Sequence, residues 1–416
     1  ISKMTINEKI KDMGLKDKIE KELKPEILIT ILLISFCFQN LNLFVIGEQA
    51  IKVYRVVVIL YILLIIIKKQ LEIPSKKLMI MLIYMSIISV LNFFDMGMER
   101  LFFEYLFAFG ILMVVYNIGK NFKIDDWLKI IQIVAVIAIT SVAINVLINF
   151  KEIMNFHNNP YNEHPNYNGI FTGGVNLECT WIAMFAFFFT NKRKCAYVYM
   201  GISTTISILL SSRVGIIINI MAFLYILTNS VIEMKKQKNN KGLKLLIIGF
   251  IMIAVIAIII GIETNIFDNI INRIINVGKD GGSQGRIRMW KYVMEAFEKR
   301  PFGYGAGNAI KGISDASGLW YDEDNVHNLL FQMILDFGFV GGSIYIYIIV
   351  DFIKNNIKKI LDNPFIMFIL TYIIIGCIQF KGAELITFFM IGAFLTISNK
   401  ERKDNELDLL GWIKRK

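Results

Sequence analysis

The sequence predicts an all-α membrane protein with about twelve transmembrane helices. The chain has 416 residues, 55% of them hydrophobic, and its mean hydropathy is +0.56. Apolar runs of roughly 17 to 22 residues recur along nearly the whole length, and a bilayer core requires helices of about this length. The predicted spans are 27–47, 51–67, 78–94, 101–118, 129–149, 175–190, 196–210, 214–232, 245–263, 329–350, 365–379 and 384–397.

Lysine and arginine are distributed unequally between the two sides of this topology. With the N-terminus inside, 31 of the 45 Lys and Arg residues fall in segments 1–26, 68–77, 119–129, 191–196, 233–244, 351–364 and 398–416. Short cytoplasmic loops carry such an excess. We therefore expect both termini in the cytoplasm, and we attribute the net charge of +11 to membrane orientation rather than to nucleic-acid binding. Residues 1–26 lack a small-residue cleavage site, so no signal peptide is predicted.

This topology divides the chain into five segments. They are a charged cytoplasmic N-terminus (1–26), nine transmembrane helices (27–263), a long extracytoplasmic loop (264–328), three further helices (329–397) and a basic cytoplasmic tail (398–416). A connection as long as the extracytoplasmic loop is usually functional or disordered. Its composition favours order and function, because part of it has a helical pattern.

That pattern lies at residues 285–300. Trp290, Val293, Met294 and Phe297 recur at the spacing of one helical face. We expect this amphipathic helix to lie on the outer membrane surface with Trp290 at headgroup level. The glycine-rich stretch that follows, at 301–308, has no nucleotide-binding context and is interpreted as a compact turn that returns the chain to the membrane.

Arginines in two places are candidates for binding an anion. Arg213, beside Ser212, joins two predicted spans; it is either a snorkelling anchor or a contact for phosphate oxygens. Arg286 and Arg288 open the amphipathic helix and either attract lipid headgroups or bind an anionic ligand. Two residues on successive sides of a helix cannot both face one ligand, so one of this pair is expected to point to water.

His327 is the candidate general base. It follows the acidic stretch 322–324 and precedes a long apolar run, and histidine is the side chain most often used for proton transfer near neutral pH. It could instead merely cap the helix at Leu329 together with Asn325 or Asn328. His157 and His164 are interpreted as polar loop residues. Glu178 and Glu104 lie in or near spans, where an acid is a functional candidate by default, and Glu178 is the stronger of the two.

No metal or cofactor is predicted. Asp322 and Asp324 form a DxD pattern near His327, but a hard cation usually needs more oxygen ligands than this stretch supplies. The four cysteines, Cys37, Cys179, Cys195 and Cys377, are scattered and form no CxxC pair. The sequence therefore indicates neither a zinc site nor a disulfide framework.

Three motifs in this order resemble those of the O-antigen ligase and Wzy polymerase superfamily of bacterial membrane glycosyltransferases. They are "SSRVG", then "GRIRMW" with "RPFGYGAGNA", then "VHNLLFQMILDFGFVGG", all within about residues 205–350. Arg213 matches the family's arginine before a span, Arg286 the arginine four residues before the tryptophan, and His327 the histidine of "HN". Arg288 has no fixed counterpart.

The resemblance implies transfer of a glycan from undecaprenyl diphosphate to an acceptor hydroxyl, at the outer face of the cytoplasmic membrane. It implies His327 as base, with Arg213, Arg286 and Arg288 as candidates for binding the diphosphate; Glu178, Asn328 and Ser212 are further candidates. No metal, nucleotide sugar or nucleic acid is expected. The expected partners are the lipid-linked glycan and membrane lipid, with a chain-length regulator and a flippase of the same pathway as candidate protein partners.

Three functions remain open at this point. The use of Ile, Lys and Asn is typical of an AT-rich genome, which is common among bacteria with one membrane and no lipid A. We therefore favour polymerisation of repeat units into a surface polysaccharide over ligation of a finished glycan. A flippase or other secondary transporter is the alternative of another class. It would place charges near the membrane midplane, whereas this chain gathers them at one surface.

Overall fold

The structure is a computed structural model that describes residues 24–46, 49–69, 71–158, 165–171, 174–236, 275, 278 and 281–413. The predicted span 245–263 and His164 lie outside the described residues. The described chain is mostly helical. Its elements are α1 Pro25–Cys37, β1 Asn42–Ile46, β2 Gln49–Lys52, α2 Val53–Ile67, α3 Lys76–Leu91, α4 Phe93–Met96, α5 Arg100–Gly119, α6 Ile124–Ile148, α7 Phe150–Asn158, α8 Gly174–Phe185 with a 3-10 turn Ala186–Phe189, α9 Arg193–Leu209, α10 Arg213–Lys236, α11 Gly281–Lys291, α12 Val293–Lys299, α13 Ala309–Ser317, α14 Leu329–Asn356 with a 3-10 turn Ile357–Lys359, α15 Pro364–Gly376 and α16 Leu385–Ile413.

Four described helices are long and apolar enough to cross a membrane: Arg100–Gly119, Ile124–Ile148, Arg213–Lys235 and Leu329–Lys359. Shorter apolar helices occupy Pro25–Cys37, Val53–Ile67, Gly174–Phe189 and Pro364–Gly376. Each predicted span within the described chain contains a helix, so the apolar runs located the helices correctly. The chain is a membrane protein, and the count of twelve crossings remains a prediction.

The first predicted span, 27–47, is wrong at its C-terminal end. Helix α1 ends at Cys37, and the chain then forms an antiparallel hairpin of β1 and β2, in which Val45 pairs with Ala50. The apolar residues of this hairpin made it look like a continuation of the helix. Hydropathy alone does not separate an apolar strand from the end of an apolar helix, and this short run shows no distinguishing period.

The core of the helical body is apolar and aromatic. Residues 181–189 of α8 and its 3-10 turn are buried on every side, which is expected of a helix surrounded by others. Trp181 stacks on Phe368 of α15 and on Phe380, which follows α15. Helix α8 therefore packs between α15 and the start of α10.

A second, smaller core is formed by residues 289–326 together with Leu335 of α14. Met289, Val293, Ala296, Tyr304, Ile313, Val326 and Leu335 are among its buried residues. The predicted amphipathic helix is interrupted at Tyr292 and packs on this core, so the protein covers much of the face that we assigned to the membrane surface. Trp290 donates to the Val326 carbonyl at 2.9 Å, whereas Met294, on the same predicted apolar face, is 63% exposed. The placement of this helix on the membrane surface stays a prediction.

The glycine-rich stretch 301–308 is a compact turn, but it docks on α14 instead of leading directly into a span. Helix α14 is kinked at Gly338, whose φ is 67°. A Cβ on Gly303 would lie 2.5 Å from the Asp336 carbonyl oxygen, and one on Gly338 would lie 2.3 Å from the Phe302 carbonyl carbon. Buried Asp336 accepts hydrogen bonds from the Gly307 and Ala309 amides, both at 2.9 Å. These contacts fix the small core against the N-terminal part of α14.

Candidate active site around His327

His327 lies where the small core meets α14. Asn328 is the N-cap of α14, and its side chain accepts a hydrogen bond from the Phe331 amide. The backbone of His327 has a φ of 54°, which is uncommon for a residue with a bulky side chain, and its amide donates to Asn325 at 2.8 Å. The capping role that we considered for His327 therefore belongs to Asn328. Strained backbone of this kind clusters at functional sites.

The imidazole of His327 contacts one carboxylate. Its Nε2 lies 3.1 Å from Glu323 Oε2, and its Nδ1 is buried without a hydrogen-bond partner among the described residues. In a neutral imidazole this geometry assigns the proton to Nε2, which leaves the lone pair on Nδ1. The hydrogen bond from His327, aided by the charges of His327 and Arg286, holds the pKa of Glu323 below its usual range.

A single short connection, residues 377–384 between α15 and α16, gathers several of the predicted residues. Arg286 Nη1 donates to the Ile378 carbonyl at 3.0 Å, and Asn328 Nδ2 donates to the Cys377 carbonyl at 2.9 Å. The hydroxyl of Tyr105 donates to the Lys381 carbonyl at 2.7 Å. The structure thus brings Arg286, Asn328 and His327 together at the α15–α16 connection.

Lys381 is the central cation of this connection. Its Nζ lies 2.9 Å from Glu104 and 3.5 Å from Asp324, and Glu104 also pairs with Arg100 at 2.8 Å. Burial would raise the pKa of Asp324, but the charge of Lys381 and hydrogen bonds from Asn325 and Lys381 hold it below its usual range. Asp324 is therefore an ionised partner of Lys381 at neutral pH.

A cavity of about 430 Å³ opens beside these ion pairs. We call it the polar cavity. Its lining is mostly charged, polar or aromatic: Glu99, Arg100, Leu101, Glu104, Gly307, Ile310, Lys311, Ser314, Asp315, Trp320, Tyr321, Glu323, Asp324 and Lys381. Glu323 connects this cavity to the imidazole of His327.

A second cavity, of about 860 Å³, lies on the other side of the α15–α16 connection. We call it the apolar cavity. Leu329, Met333 and Gly382 line one end, and Lys77, Asp351 and Glu401 line the other. Helix α14 runs from Leu329 to Asp351 along it, a rise of about 30 Å, which matches the thickness of a bilayer core. Adjacent residues Lys381 and Gly382 line the polar and the apolar cavity, respectively, so the two cavities meet at this connection.

Arg213 begins helix α10, next to the N-terminal part of α8. Ser212 is buried; it donates to Asn176 of α8 at 3.0 Å and accepts from the Gly215 amide, so its hydroxyl caps α10. Asn176 precedes Trp181 by little more than one helical turn, and Trp181 stacks on Phe380 of the α15–α16 connection. Helix α8 thus links Arg213 to the connection that Arg286 contacts.

Glu178 does not belong to this cluster in the structure. It is fully buried, and it accepts hydrogen bonds from the Tyr167 hydroxyl and the Ile170 amide. These bonds hold residues 165–171 against α8, so its contacts are structural. Of these two glutamates, Glu104, which we ranked below Glu178, lines the polar cavity. His157, predicted in a loop, is a buried helical residue whose Nε2 lies 2.8 Å from the Leu209 carbonyl.

Sequence reasoning missed Glu323 as the partner of His327, and it missed Lys381. A signal for Lys381 was available, because it is a single cation in the short gap between the last two predicted spans. Arg288 is exposed, in keeping with the expectation that only one arginine of its pair faces the site. Within the described ranges, no group of three or more His, Cys, Asp or Glu residues could hold a metal.

Comparison with known proteins agrees with the motifs. No curated protein matches the chain. Residues 179–346 match the family model described as O-antigen ligase, and this range contains Arg213, Arg286 and His327. The resemblance stated from the sequence is therefore confirmed for this region: from α8 into α14, the chain is similar to the O-antigen ligases.

Proposed function

We propose that this protein is a membrane glycosyltransferase that polymerises lipid-diphosphate-linked oligosaccharide repeat units at the outer face of the cytoplasmic membrane. One observation carries the proposal. His327 stands in the chain between Asp324, which lines the polar cavity, and Leu329, which lines the apolar cavity. A reaction between a lipid-borne donor and a water-borne acceptor needs its base at such a boundary.

The apolar cavity suits the polyprenyl chain of the donor. Its walls are mostly aliphatic and aromatic side chains along α14, α15 and α16, and its far end carries the ion pair of Lys77 with Asp351 at 2.7 Å. An isoprenoid chain buried there would be removed from water, and its diphosphate would lie at the α15–α16 connection. Burial of apolar chain provides roughly 0.8 kcal/mol per methylene, which favours a long carrier.

The arginines supply the charge that the diphosphate needs. Arg286 already contacts the α15–α16 connection, and a guanidinium binds phosphate oxygens with two parallel hydrogen bonds. Arg213 would complete the diphosphate site from the side of α8 and α10. Negative charge builds up on the leaving diphosphate during transfer, so a fixed cation there stabilises the transition state more than the ground state.

His327 would remove the acceptor proton. In the proposed step the acceptor hydroxyl oxygen bonds to the anomeric carbon of the donor, with inversion, while the bond from that carbon to the diphosphate oxygen breaks. The hydroxyl proton passes to Nδ1 of His327, and the lipid keeps the diphosphate. Glu323 holds the Nε2 proton and stabilises the imidazolium that forms. Catalytic hydrogen bonds are often completed only in the substrate complex, so the burial of Nδ1 in the free protein is compatible with this role.

The test is His327→Ala. A general base contributes about 10²–10⁴-fold to the rate, so the variant should reach the membrane at the normal level while cells accumulate single repeat units on the lipid carrier. Polymer length on a gel, with an immunoblot for protein level, measures this outcome. Normal long-chain polymer would exclude His327 as the base.

Ligation of a finished glycan is the second candidate, because the matching family model is described as O-antigen ligase. The same gel separates the two functions. In a deletion strain, a polymerase defect leaves single repeat units on the carrier, whereas a ligase defect leaves full-length polymer on the carrier. If no glycan reaches the outer face in the deletion strain, a flippase becomes the better account.

A further inference from the structure

The polar cavity has features of a carbohydrate site that the motifs do not account for. Its volume of about 430 Å³ lies within the range of small-molecule pockets. It lies next to Glu323, the partner of His327, but most of its wall comes from α5, α13 and residues 320–324. Of the residues to which the resemblance assigned a role in binding or proton transfer, none lines it; of the quoted motifs, Gly307 contributes to the wall.

Two aromatic residues on its wall are placed unlike core residues. Trp320 is 80% exposed, although a large aromatic ring is usually buried or partnered. The hydroxyl of Tyr321 is buried and has no hydrogen-bond partner among the described residues. A buried unpaired hydroxyl costs free energy, and a ligand hydroxyl in the cavity would relieve this cost. An apolar ring face beside a buried, unpaired hydroxyl suits a sugar, whose rings have C–H faces and hydroxyl rims.

The charges of the cavity indicate which sugars fit. Its carboxylates, Glu99, Glu104, Asp315, Glu323 and Asp324, outnumber its cations, Arg100, Lys311 and Lys381. The cations are paired with cavity carboxylates: Arg100 with Glu104, Lys311 with Glu99, and Lys381 with Glu104 and Asp324. An anionic sugar would therefore meet excess negative charge and no uncommitted cation on the described wall.

We propose that the polar cavity binds the terminal sugar of the acceptor glycan and selects neutral or amino sugars over uronic acids and phosphorylated sugars. The assignment of the sugar as the acceptor rests on the proposed function, because it requires the adjacent His327 to act on its hydroxyl. Trp320 provides a surface for the ring, and Tyr321 together with Asp315 and Ser314 provides polar contacts.

The experiment uses the purified full-length protein in detergent and three probes: methyl glucoside, methyl glucosaminide and methyl glucuronide. Binding is measured by ligand-observed NMR. We expect the first two to bind and the glucuronide to bind about tenfold more weakly or less, because juxtaposed like charges are strongly unfavourable. Equal or tighter binding of the glucuronide would overturn the selectivity.

Variants place the binding in this cavity. Trp320→Ala should abolish measurable binding, and Phe94→Ala is the matched control, because Phe94 is 92% exposed but does not line the cavity. Tyr321→Phe should weaken binding about fivefold, the effect of one hydrogen bond. Asp315→Lys should reduce the difference in binding affinity between the methyl glucoside and the methyl glucuronide, because it replaces a negative charge on the wall by a positive one. Wild-type binding by Trp320→Ala would overturn the assignment of the site.

The His327→Ala protein separates this proposal from the proposed function. It should bind the glycosides as the wild type does, while polymer formation is lost. If it binds them and still makes normal polymer, the proposed function fails and the sugar site stands. If polymer is lost but no glycoside binds to the wild-type protein, the sugar site fails and the proposed function stands.

Discussion

The polar and apolar cavities lie on either side of one short connection and have opposite chemistry. The polar cavity is surrounded by ion pairs and carries an exposed tryptophan, and it reaches His327 through Glu323. The apolar cavity extends along α14 between aliphatic side chains and contains charged groups mainly at its far end. The protein thus has a charged, polar cavity and an apolar cavity next to each other, with residues 377–384 between them.

The cavities also differ in how far their walls could be predicted from the sequence. The apolar cavity is built from helices that the hydropathy pattern located. The polar cavity joins α5 to α13 and to residues 320–324, which are about two hundred positions away in the chain. Variants at the boundary between the cavities test whether the contrast has a functional meaning.

After His327→Ala, the largest effect is expected at Arg286. Arg286→Ala should lower transferase activity about 10²–10³-fold, the usual effect of removing one preorganised donor from a developing anion. Arg288→Ala is the matched control, since Arg288 is exposed on the same helix, and its effect should be much smaller.

A second arginine, Arg213, is tested by two variants. Arg213→Lys should have reduced transferase activity, because lysine keeps the charge but loses the two-pronged geometry, and Arg213→Ala should have less activity still. Polymer yield per immunoblotted protein measures all four, and equal losses at Arg286 and Arg288 would contradict the assignment.

An intermediate effect is expected at Glu323, which connects the polar cavity to His327. Glu323→Gln keeps a hydrogen-bond acceptor but loses the charge that stabilises the imidazolium, so activity should fall about tenfold, and Glu323→Ala should fall further. Because Glu323 stays ionised below its usual titration range, its contribution should persist as the pH falls through the range where an unperturbed glutamate protonates. Asp322→Asn is the control. An unchanged rate for Glu323→Ala would remove Glu323 from the mechanism.

Lys381 tests whether the wall between the cavities depends on its ion pairs. Lys381→Met leaves Glu104 and Asp324 without their shared cation, and we expect a loss of roughly 1–3 kcal/mol of stability, seen as a lower Tm in detergent. The double variant Lys381→Met with Glu104→Gln should recover part of the loss, because the buried charge is also removed. If the Tm of the double variant is lower than that of Lys381→Met, the unpaired charge of Glu104 is not what destabilises the single variant.

The smallest effect is expected from metal removal. Three acids of the polar cavity, Glu99, Glu104 and Asp324, already pair with Lys311, Arg100 or Lys381. We therefore expect EDTA to leave activity unchanged, and Asp322→Asn with Asp324→Asn to retain substantial activity. Loss of activity with the chelator, restored by added Mg²⁺ or Mn²⁺, would instead support a metal at the DxD pattern of Asp322 and Asp324.

Much of the helical layout could be predicted from the sequence. Every predicted span in the described chain contains a helix, because a run of apolar residues long enough to cross a bilayer can satisfy its backbone only within a helix. The hairpin of β1 and β2 is the exception, because the spacing of its apolar residues did not distinguish a strand from the end of an apolar helix. The motifs around Arg213, Arg286 and His327 were also correctly recognised, and the family match covers all three.

The site itself could be predicted only in part. The sequence placed Arg286, Asn328 and His327 near one another only by analogy, whereas the structure joins Arg286 and Asn328 at Ile378 and Cys377. Glu178 and Ser212 were candidates because polar residues in apolar segments are rare, and a role in binding stays a prediction for both. Their partners, Tyr167 and Asn176, show that both satisfy local structure.

By itself, the sequence determined that this chain is a helical membrane protein, and it named His327, Arg213 and Arg286, because hydropathy and short motifs are local properties. Only the tertiary structure decided that Glu323 holds the imidazole, that Lys381 separates two cavities and that Trp320 faces one of them. Those contacts depend on how α14, α15 and the segment before them pack. A side chain's partner is set by packing between distant segments, and no local pattern encodes it.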